Sequence, residues 1–321
     1  MGFQSFAAAR GMNAVSREPV IAIVGPTATG KSDLALDLAE AIGGPRCAEI
    51  VNADSMQLYR GMDIGTAKLP LAERRGVSHH QLDVLDVTED ASVATYQAQA
   101  RLVLDMIGGH GRQAIVVGGS GLYLRALLDD IQFPPTDSDV RAALEAELET
   151  EGPAALHRRL ATLDPLAAAS IGSANGRRIV RALEVISLTG RPYSSSLPRY
   201  TYAVPSCQIG LRAGKEFLDE RIARRAQAMF DSGLVDEVRS LEREGLREGK
   251  TARRATGYAQ ALAVLDGVMT VDEAVIATAI ATRQLARRQM KWFRRDPRIT
   301  WIDVDDTTDV VGRARTILGA S

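Results

Sequence analysis

Residues 24–33 read VGPTATGKSD, and Gly25 to Ser32 fit the pattern G-x-x-x-x-G-K-[ST]. Chemistry at a phosphate needs such a stretch. Gly25 and Gly30 permit the turns that aim backbone N–H groups at phosphate oxygens. Pro26, Thr27, Ala28 and Thr29 form the loop between them, Lys31 adds a point charge, and the Ser32 hydroxyl suits a Mg²⁺ ion. The pattern points to a bound phosphate ester without saying which one.

A second reactive group follows. Asp54 ends the apolar run AEIVNAD, where open α/β sheets place their ligands. A carboxylate there can serve as a general base or as a helix N-cap, and local sequence leaves both open. A third stretch, VVGGSGLY, ends an apolar run in Gly118-Gly119-Ser120. Many phosphate-loop kinases carry a Mg²⁺-associated aspartate at such a strand end. Here the glycines either admit a ligand to the backbone or simply turn the chain, and Ser120 offers a hydroxyl. His79 and His80 are adjacent and lack further ligands at metal spacing, so a structural or hydrogen-bonding role is expected. Cys47 and Cys207 have no metal spacing and read as reduced thiols of a cytoplasmic protein.

The elements that must position these groups are legible in outline. PVIAIVG reads as a buried parallel strand feeding the loop, and KSDLALDLAEAIGG as a helix with Leu34, Leu38 and Ile42 on one stripe, stopped by Gly43-Gly44. AEIVNAD, QAIVVGG, YAVPSCQIGL and ITWIDV read as further strands. Alternating strands and helices predict an α/β fold, a phosphate-loop type of mostly parallel sheet flanked by helices. Residues 137–190 show only helical periodicity, with Asp164-Pro165 and Asn175 as helix starts and Gly190 as a stop. The expected organisation is a disordered tail over 1–18, an α/β core over 19–136, a small helical domain inserted over 137–196, and a return to the core with C-terminal helices over 197–321.

The 321 residues are 45% hydrophobic and 25% charged, a globular composition, and no apolar run approaches the ~18 residues of a bilayer span. The net charge of −1 hides a local excess: Thr282 to Arg298 hold seven basic residues and one acid, Asp296. Helical spacing puts Arg283, Arg287, Lys291 and Arg294 on one face, with Leu285, Trp292 and Phe293 on the other. In the helical block, Arg177 and Arg181 share a face opposite Ile179, Leu183 and Ile186 and are expected to point outward. Both basic faces suit RNA phosphates; each also fits a plain solvated face.

GPTATGKS together with DSMQLYRGMDIGTAK resembles the tRNA dimethylallyltransferase (tRNA isopentenyltransferase) family, bacterial type. The matching positions are Asp54, Ser55, Tyr59 and the run Gly61 to Lys68, and segments such as RRIVRALEVISLTGRP and ATRQLARRQMKWFRR extend the resemblance over about residues 19–300. It implies transfer of a dimethylallyl group from dimethylallyl diphosphate to N6 of the adenosine 3′-adjacent to the anticodon in tRNA. On that reading the loop holds a diphosphate that departs whole, with Mg²⁺ on Ser32, while Lys31 and Ser120 assist and Asp54 takes the proton. The resemblance places RNA contacts on Asp54, Ser55, Met56, Gln57, Ser120 and Arg141. Arg177, Arg178, Arg181, Arg287 and Lys291 are the basic candidates for the anticodon arm, with a monomer expected. Arg177, Asp219 and Ala259 depart from the family pattern. The competing expectations are a prenyltransferase for free adenine nucleotides, a small-molecule phosphate-loop kinase and a non-catalytic RNA-binding protein.

Overall fold

The structure, a computed structural model, describes residues 18–196 and 200–319, so the expected tail lies almost wholly outside the described residues. In chain order the elements are β1 (Val20–Val24), α1 (Lys31–Ile42), β2 (Ala48–Asn52), β3 (His79–His80), α2 (Val93–Gly109), β4 (Gln113–Gly118) and α3 (Gly121–Leu128). Four helices follow: α4 (Ser138–Glu151), α5 (Pro153–Leu163), α6 (Pro165–Ser170) and α7 (Gly176–Thr189). Then come β5 (Ser206–Arg212), α8 (Lys215–Asp231), α9 (Leu234–Arg243), α10 (Tyr258–Leu265), α11 (Val271–Phe293), β6 (Ile299–Asp303) and α12 (Val310–Ile317).

The six strands form one parallel sheet in the order β3-β2-β4-β1-β5-β6. β1 is central: Ile21 pairs with Ile115 of β4 on one side and Cys207 of β5 on the other. All five residues of β1 and of β2 are buried, as expected of parallel strands covered on both faces. On one face Ile21, Ile23, Ile50, Ile115 and Ile209 pack with Leu34 and Leu38 of α1 and Ala314 of α12. Ile42 departs from the expected stripe: it is 38% exposed, because α1 stops there on Gly43. α2, with Tyr96, Ala100, Leu104 and Ile107 buried, packs on β2 and β4.

A separate apolar cluster explains the long loop after β2. Tyr59 and Met62, both fully buried, pack among Leu234, Val238 and Leu241 of α9 and Tyr258 and Ala261 of α10. Lys68, its side chain 3% exposed, ties the loop to itself, donating to Tyr59 O at 2.9 Å and to Asp63 and Asp83 carboxylates at 2.5 Å each. Much of the Gly61–Lys68 string therefore holds the backbone in place rather than touching a ligand.

The chain divides into two compact units, one running to Leu127 and resuming at Val204, the other Leu128–Ala203. The second is wider than the expected 137–196, because the segments that lead in and out pair with each other. Ala203 N–H donates to Leu128 O at 2.8 Å and Asp130 N–H to Thr201 O at 3.0 Å. Its core is Leu144, Leu156, Leu160, Ile179 and Leu183 from α4, α5 and α7. The expected caps are present: Asp164 accepts from Ala167 N–H, and Asn175 from Arg178 N–H.

Candidate functional site

At the carboxyl ends of β1, β2 and β4 lies a cleft of about 600 Å³. The loop between β1 and α1 builds one wall. Gly25 (φ 138°) and Gly30 (φ 88°) occupy backbone that favours glycine, and a Cβ on Gly25 would meet Leu211 O at 2.3 Å. Ala28 is also left-handed (φ 67°), a conformation that costs an alanine ~1 kcal/mol or more. Strain of this kind persists where the surroundings impose it; Ala28 packs on Ile222 and Ala226 of α8 and Ala279 and Ala286 of α11. No side chain caps the start of α1, so its first N–H groups remain available to an anion.

Lys31 lines the cleft, its ammonium donating to Pro26 O at 2.7 Å. Burial lowers its pKa to about 8, the Asp54 carboxylate opposing the drop and Arg225 adding to it. Arg225, from α8, donates to Thr27 Oγ1 at 3.3 Å and Thr66 O at 3.4 Å. Burial lowers its pKa too, against the pull of Asp54 and with a push from Arg221. Two desolvated cations thus face one carboxylate, an arrangement that calls for a further anion. Ser32 is exposed on the first turn of α1 and lines the same cleft with Asp33 and Asp54. One hydroxyl beside a phosphate site fits Mg²⁺, which keeps waters and borrows oxygens from its phosphate ligand instead of requiring a protein cage. The acidic trio found among the described residues, Asp303, Asp305 and Asp306, does not line the cleft.

Asp54 sits just beyond β2. Its Oδ1 accepts from Met56 N–H at 3.0 Å, a local turn rather than a helix cap, and no partner for Oδ2 is found among the described residues. Asp54 also lines a second cavity of about 270 Å³, together with Ser55, Met56, Ser120, Thr278, Thr282 and Leu285. Thr27, Asp54, Thr66, Arg225 and Gln289 line both cavities. Gln57 lines the larger one and donates to Thr66 O at 3.2 Å. Ser120 Oγ accepts from Ser55 N–H at 3.2 Å and lies 3.3 Å from Ser55 Oγ. The sequence thus brings Lys31, Ser32, Asp54, Ser55, Met56, Gln57 and Ser120 to one place.

The glycines before Ser120 have a reason of their own. A Cβ on Gly118 would meet Ala53 O at 2.3 Å, and one on Gly119 would meet Gln289 Nε2 at 2.4 Å. The close approach that demands glycine there is to protein. Gln289 and Arg225 were missed from sequence. Gln289, 9% exposed on α11, accepts from Thr27 N–H at 2.9 Å and so braces the phosphate loop. The available signal for Arg225 was the i, i+4 pair Arg221–Arg225 in RIARRAQAMF. His79 also lines the cleft; its Nδ1–H donates to Val77 O at 2.8 Å, and burial lowers its pKa. His80 is structural, held at 2.5 Å by buried Glu49, which Arg112 also contacts.

The basic candidates divide by environment. Arg177 and Arg178 are exposed on the first turn of α7. Arg181 is not directed outward as its spacing suggests. It donates to Glu184 at 2.8 Å and to Pro134 O and Pro135 O at 2.8 and 3.1 Å. Arg141 joins it on Glu184 at 2.9 Å. The Glu184 carboxylate is fully buried, and an unpaired buried charge is costly, so it recruits both arginines. Burial alone would raise its pKa, but hydrogen bonds from Arg181, Arg141 and Asp137 N–H hold it below the ordinary range. Arg287 and Lys291 of α11 and Arg294, which caps its C-terminus, are exposed and line a groove of about 480 Å³ with Arg212, Lys215 and Arg283. Asp219 faces Arg283 there at 3.3 Å, so this departure from the family pattern is an ion partner.

Comparison with known proteins agrees over most of the chain. Residues 57–296 match the IPP transferase family. A tRNA dimethylallyltransferase of Kineococcus radiotolerans is 57% identical, over 94% of this chain and 95% of its own. One from Thermobifida fusca is 59% identical over 92% of each. Among solved structures, the full-length tRNA isopentenylpyrophosphate transferase of Bacillus halodurans is 38% identical with a TM-score of 0.67, covering 94% and 95% of the two chains. A eukaryotic dimethylallyltransferase acting on tRNA is 26% identical with a TM-score of 0.80, covering 94% of this chain and 78% of that one.

Proposed function

The chain belongs to the IPP transferase family, and from that premise we propose that it moves a dimethylallyl group from dimethylallyl diphosphate to N6 of the adenosine beside the tRNA anticodon. The observation that carries the reading is the meeting of two cavities at Asp54. One is lined by a phosphate loop with Lys31 and Arg225, the other by Ser55, Met56 and Ser120.

The chemistry divides between them. The N6–carbon bond forms as the carbon–oxygen bond to diphosphate breaks, and the electron pair leaves on oxygen. The uncapped N–H groups at the start of α1, the Lys31 ammonium and the Arg225 guanidinium stabilise that charge. Ser32 would hold a Mg²⁺ ion there, which would add further neutralisation of the leaving diphosphate. Asp54 Oδ2 orients the adenine amine and takes its proton, help worth roughly 10² to 10⁴ in rate. Ser120, on the side of the second cavity, holds Ser55 N–H with its hydroxyl and so fixes the backbone that follows Asp54. The acceptor base must leave its stack to enter, at a cost of a few kcal/mol. Arg177 and Arg178 on α7 and Arg287 and Lys291 on α11 offset this cost by holding backbone phosphates. Arg141 and Arg181 act through Glu184, shaping the helical unit that presents α7.

The protein works as a monomer in the cytoplasm, where its substrate tRNA resides and its free thiols stay reduced. The test is acceptor choice. Whole unmodified tRNA should be prenylated and free AMP should not, under equal donor. Transfer to AMP at a comparable rate would overturn the RNA reading.

A further inference from the structure

Asp54 can serve a bound amine only if its carboxylate is held toward the junction, and Asn52 is placed to hold it. Asn52 ends β2, is 5% exposed and lines the larger cleft. Its carboxamide grips both backbone polar groups of Asp54. Oδ1 accepts from Asp54 N–H at 2.9 Å, and Nδ2 donates to Asp54 O at 3.0 Å. The other Nδ2 hydrogen goes to Gln81 O at 2.8 Å. Flipping the amide would set donor against donor and oxygen against two carbonyls, so these partners fix its orientation.

The surroundings are committed to the same arrangement. Gln81 is held at φ 60°, left-handed for a residue with a Cβ, and its carbonyl meets Asn52 there. Tyr96 Oη donates to Asn52 O at 2.8 Å from the buried face of α2. With its backbone clamped and Oδ1 tied to Met56 N–H, Asp54 retains only Oδ2 for a substrate. Closing the end of a strand needs backbone bonds alone; a buried carboxamide that spends two of its three hydrogen bonds on Asp54 does more than that.

We propose that Asn52 is a positioning residue for the transfer, fixing the Asp54 carboxylate by hydrogen-bonding both the backbone N–H and the backbone carbonyl of that residue. The proposal rests on the reading of Asp54 as the base. Asn52→Asp keeps the shape but cannot donate, so it turns an anion toward two carbonyl oxygens.

The experiment measures single-turnover transfer in Asn52→Asp, Asn52→Ser, Asp54→Asn and the double variant, with donor and tRNA Kd and melting temperature for each. Asn52→Asp should slow transfer about 10²-fold, the loss expected of a misplaced group, with both Kd values within about threefold of the parent. Asn52→Ser, which still offers one donor and one acceptor, should fall between. In the Asp54→Asn background the same change should cost less than about threefold, because residues acting as a unit are not additive. Asp54→Asn at the parental rate would overturn the base reading and this proposal with it. A slow Asp54→Asn beside a fast Asn52→Asp would overturn this proposal alone. So would an equal penalty in both backgrounds, or rate and tRNA affinity falling together with the melting temperature.

Discussion

Replacing Arg225 should slow the reaction without weakening the fold. Its two hydrogen bonds, 3.3 Å to Thr27 Oγ1 and 3.4 Å to Thr66 O, lie at the long end of the range and contribute little to stability. Its desolvation is already large enough to lower its pKa, and Arg221 adds repulsion. A cation buried under those conditions costs the empty protein free energy, and Lys31 still faces Asp54 once Arg225 is gone, so its removal leaves no carboxylate without a cation. The same charge faces the diphosphate as it departs. Losing one such group typically costs about 10² to 10³ in rate, or roughly 3 to 4 kcal/mol of transition-state stabilisation. Arg225→Met, which keeps the apolar stem, should melt no lower than the parent yet transfer at least about a hundredfold more slowly. Arg225→Lys, retaining charge without the fork, should lie between. Thermal melts of the empty protein and rapid-quench transfer from labelled donor read the two quantities separately. A parental rate in Arg225→Met, or a melting loss large enough to explain the rate, would refute the reasoning.

Asp54→Asn should leave the melting temperature and tRNA affinity near parental while single-turnover transfer falls by roughly 10² or more; a near-parental rate removes the base. Glu184→Gln should loosen the helical unit by about 2–3 kcal/mol, seen as faster hydrogen exchange in α4 and α7 of the full chain, since Arg141 and Arg181 lose their shared anion. Because the Glu184 pKa is lowered on folding, its stabilising effect is complete above its ordinary value of 4.5 and is lost as pH falls through the folded value. Exchange in α4 and α7 should therefore show an acid-dependent component that Glu184→Gln lacks. Changing Arg287, Lys291 and Arg294 together to Gln should weaken different substrate tRNAs about equally and flatten log affinity against log salt by about one unit or less per lost contact. An unchanged slope would remove that face of α11 from RNA binding.

What the sequence makes legible here is local. The strand, loop and helix from Val20 to Ile42 are contiguous, and each announces itself through glycine, apolar run or cap. Asp164 and Asn175 cap their helices as read because an N-cap depends on its own next three residues. The two-residue β3 is too short for any periodicity to mark. Arg225 and Gln289 reach Thr27 from 198 and 262 residues away; the Arg221–Arg225 spacing marks a basic helix face, but nothing in the spacing of either residue names its partner. Arg181 had the pattern of an outward arginine, but the buried carboxylate of Glu184 three residues on outweighed it. The Gly61–Lys68 string was conspicuous as a motif; that Lys68 and Met62 serve the loop's own packing required the fold.

The central claim is that the phosphate loop holds a diphosphate ester whose allyl group passes to an adenosine of tRNA. The most direct measurement incubates the protein with Mg²⁺, labelled dimethylallyl diphosphate and unmodified tRNA, then digests the RNA and identifies the labelled nucleoside. Label should appear on N6 of the adenosine 3′ to the anticodon, with one diphosphate released per transfer and no need for ATP. Label that never enters RNA, or turnover that consumes ATP stoichiometrically, would contradict it.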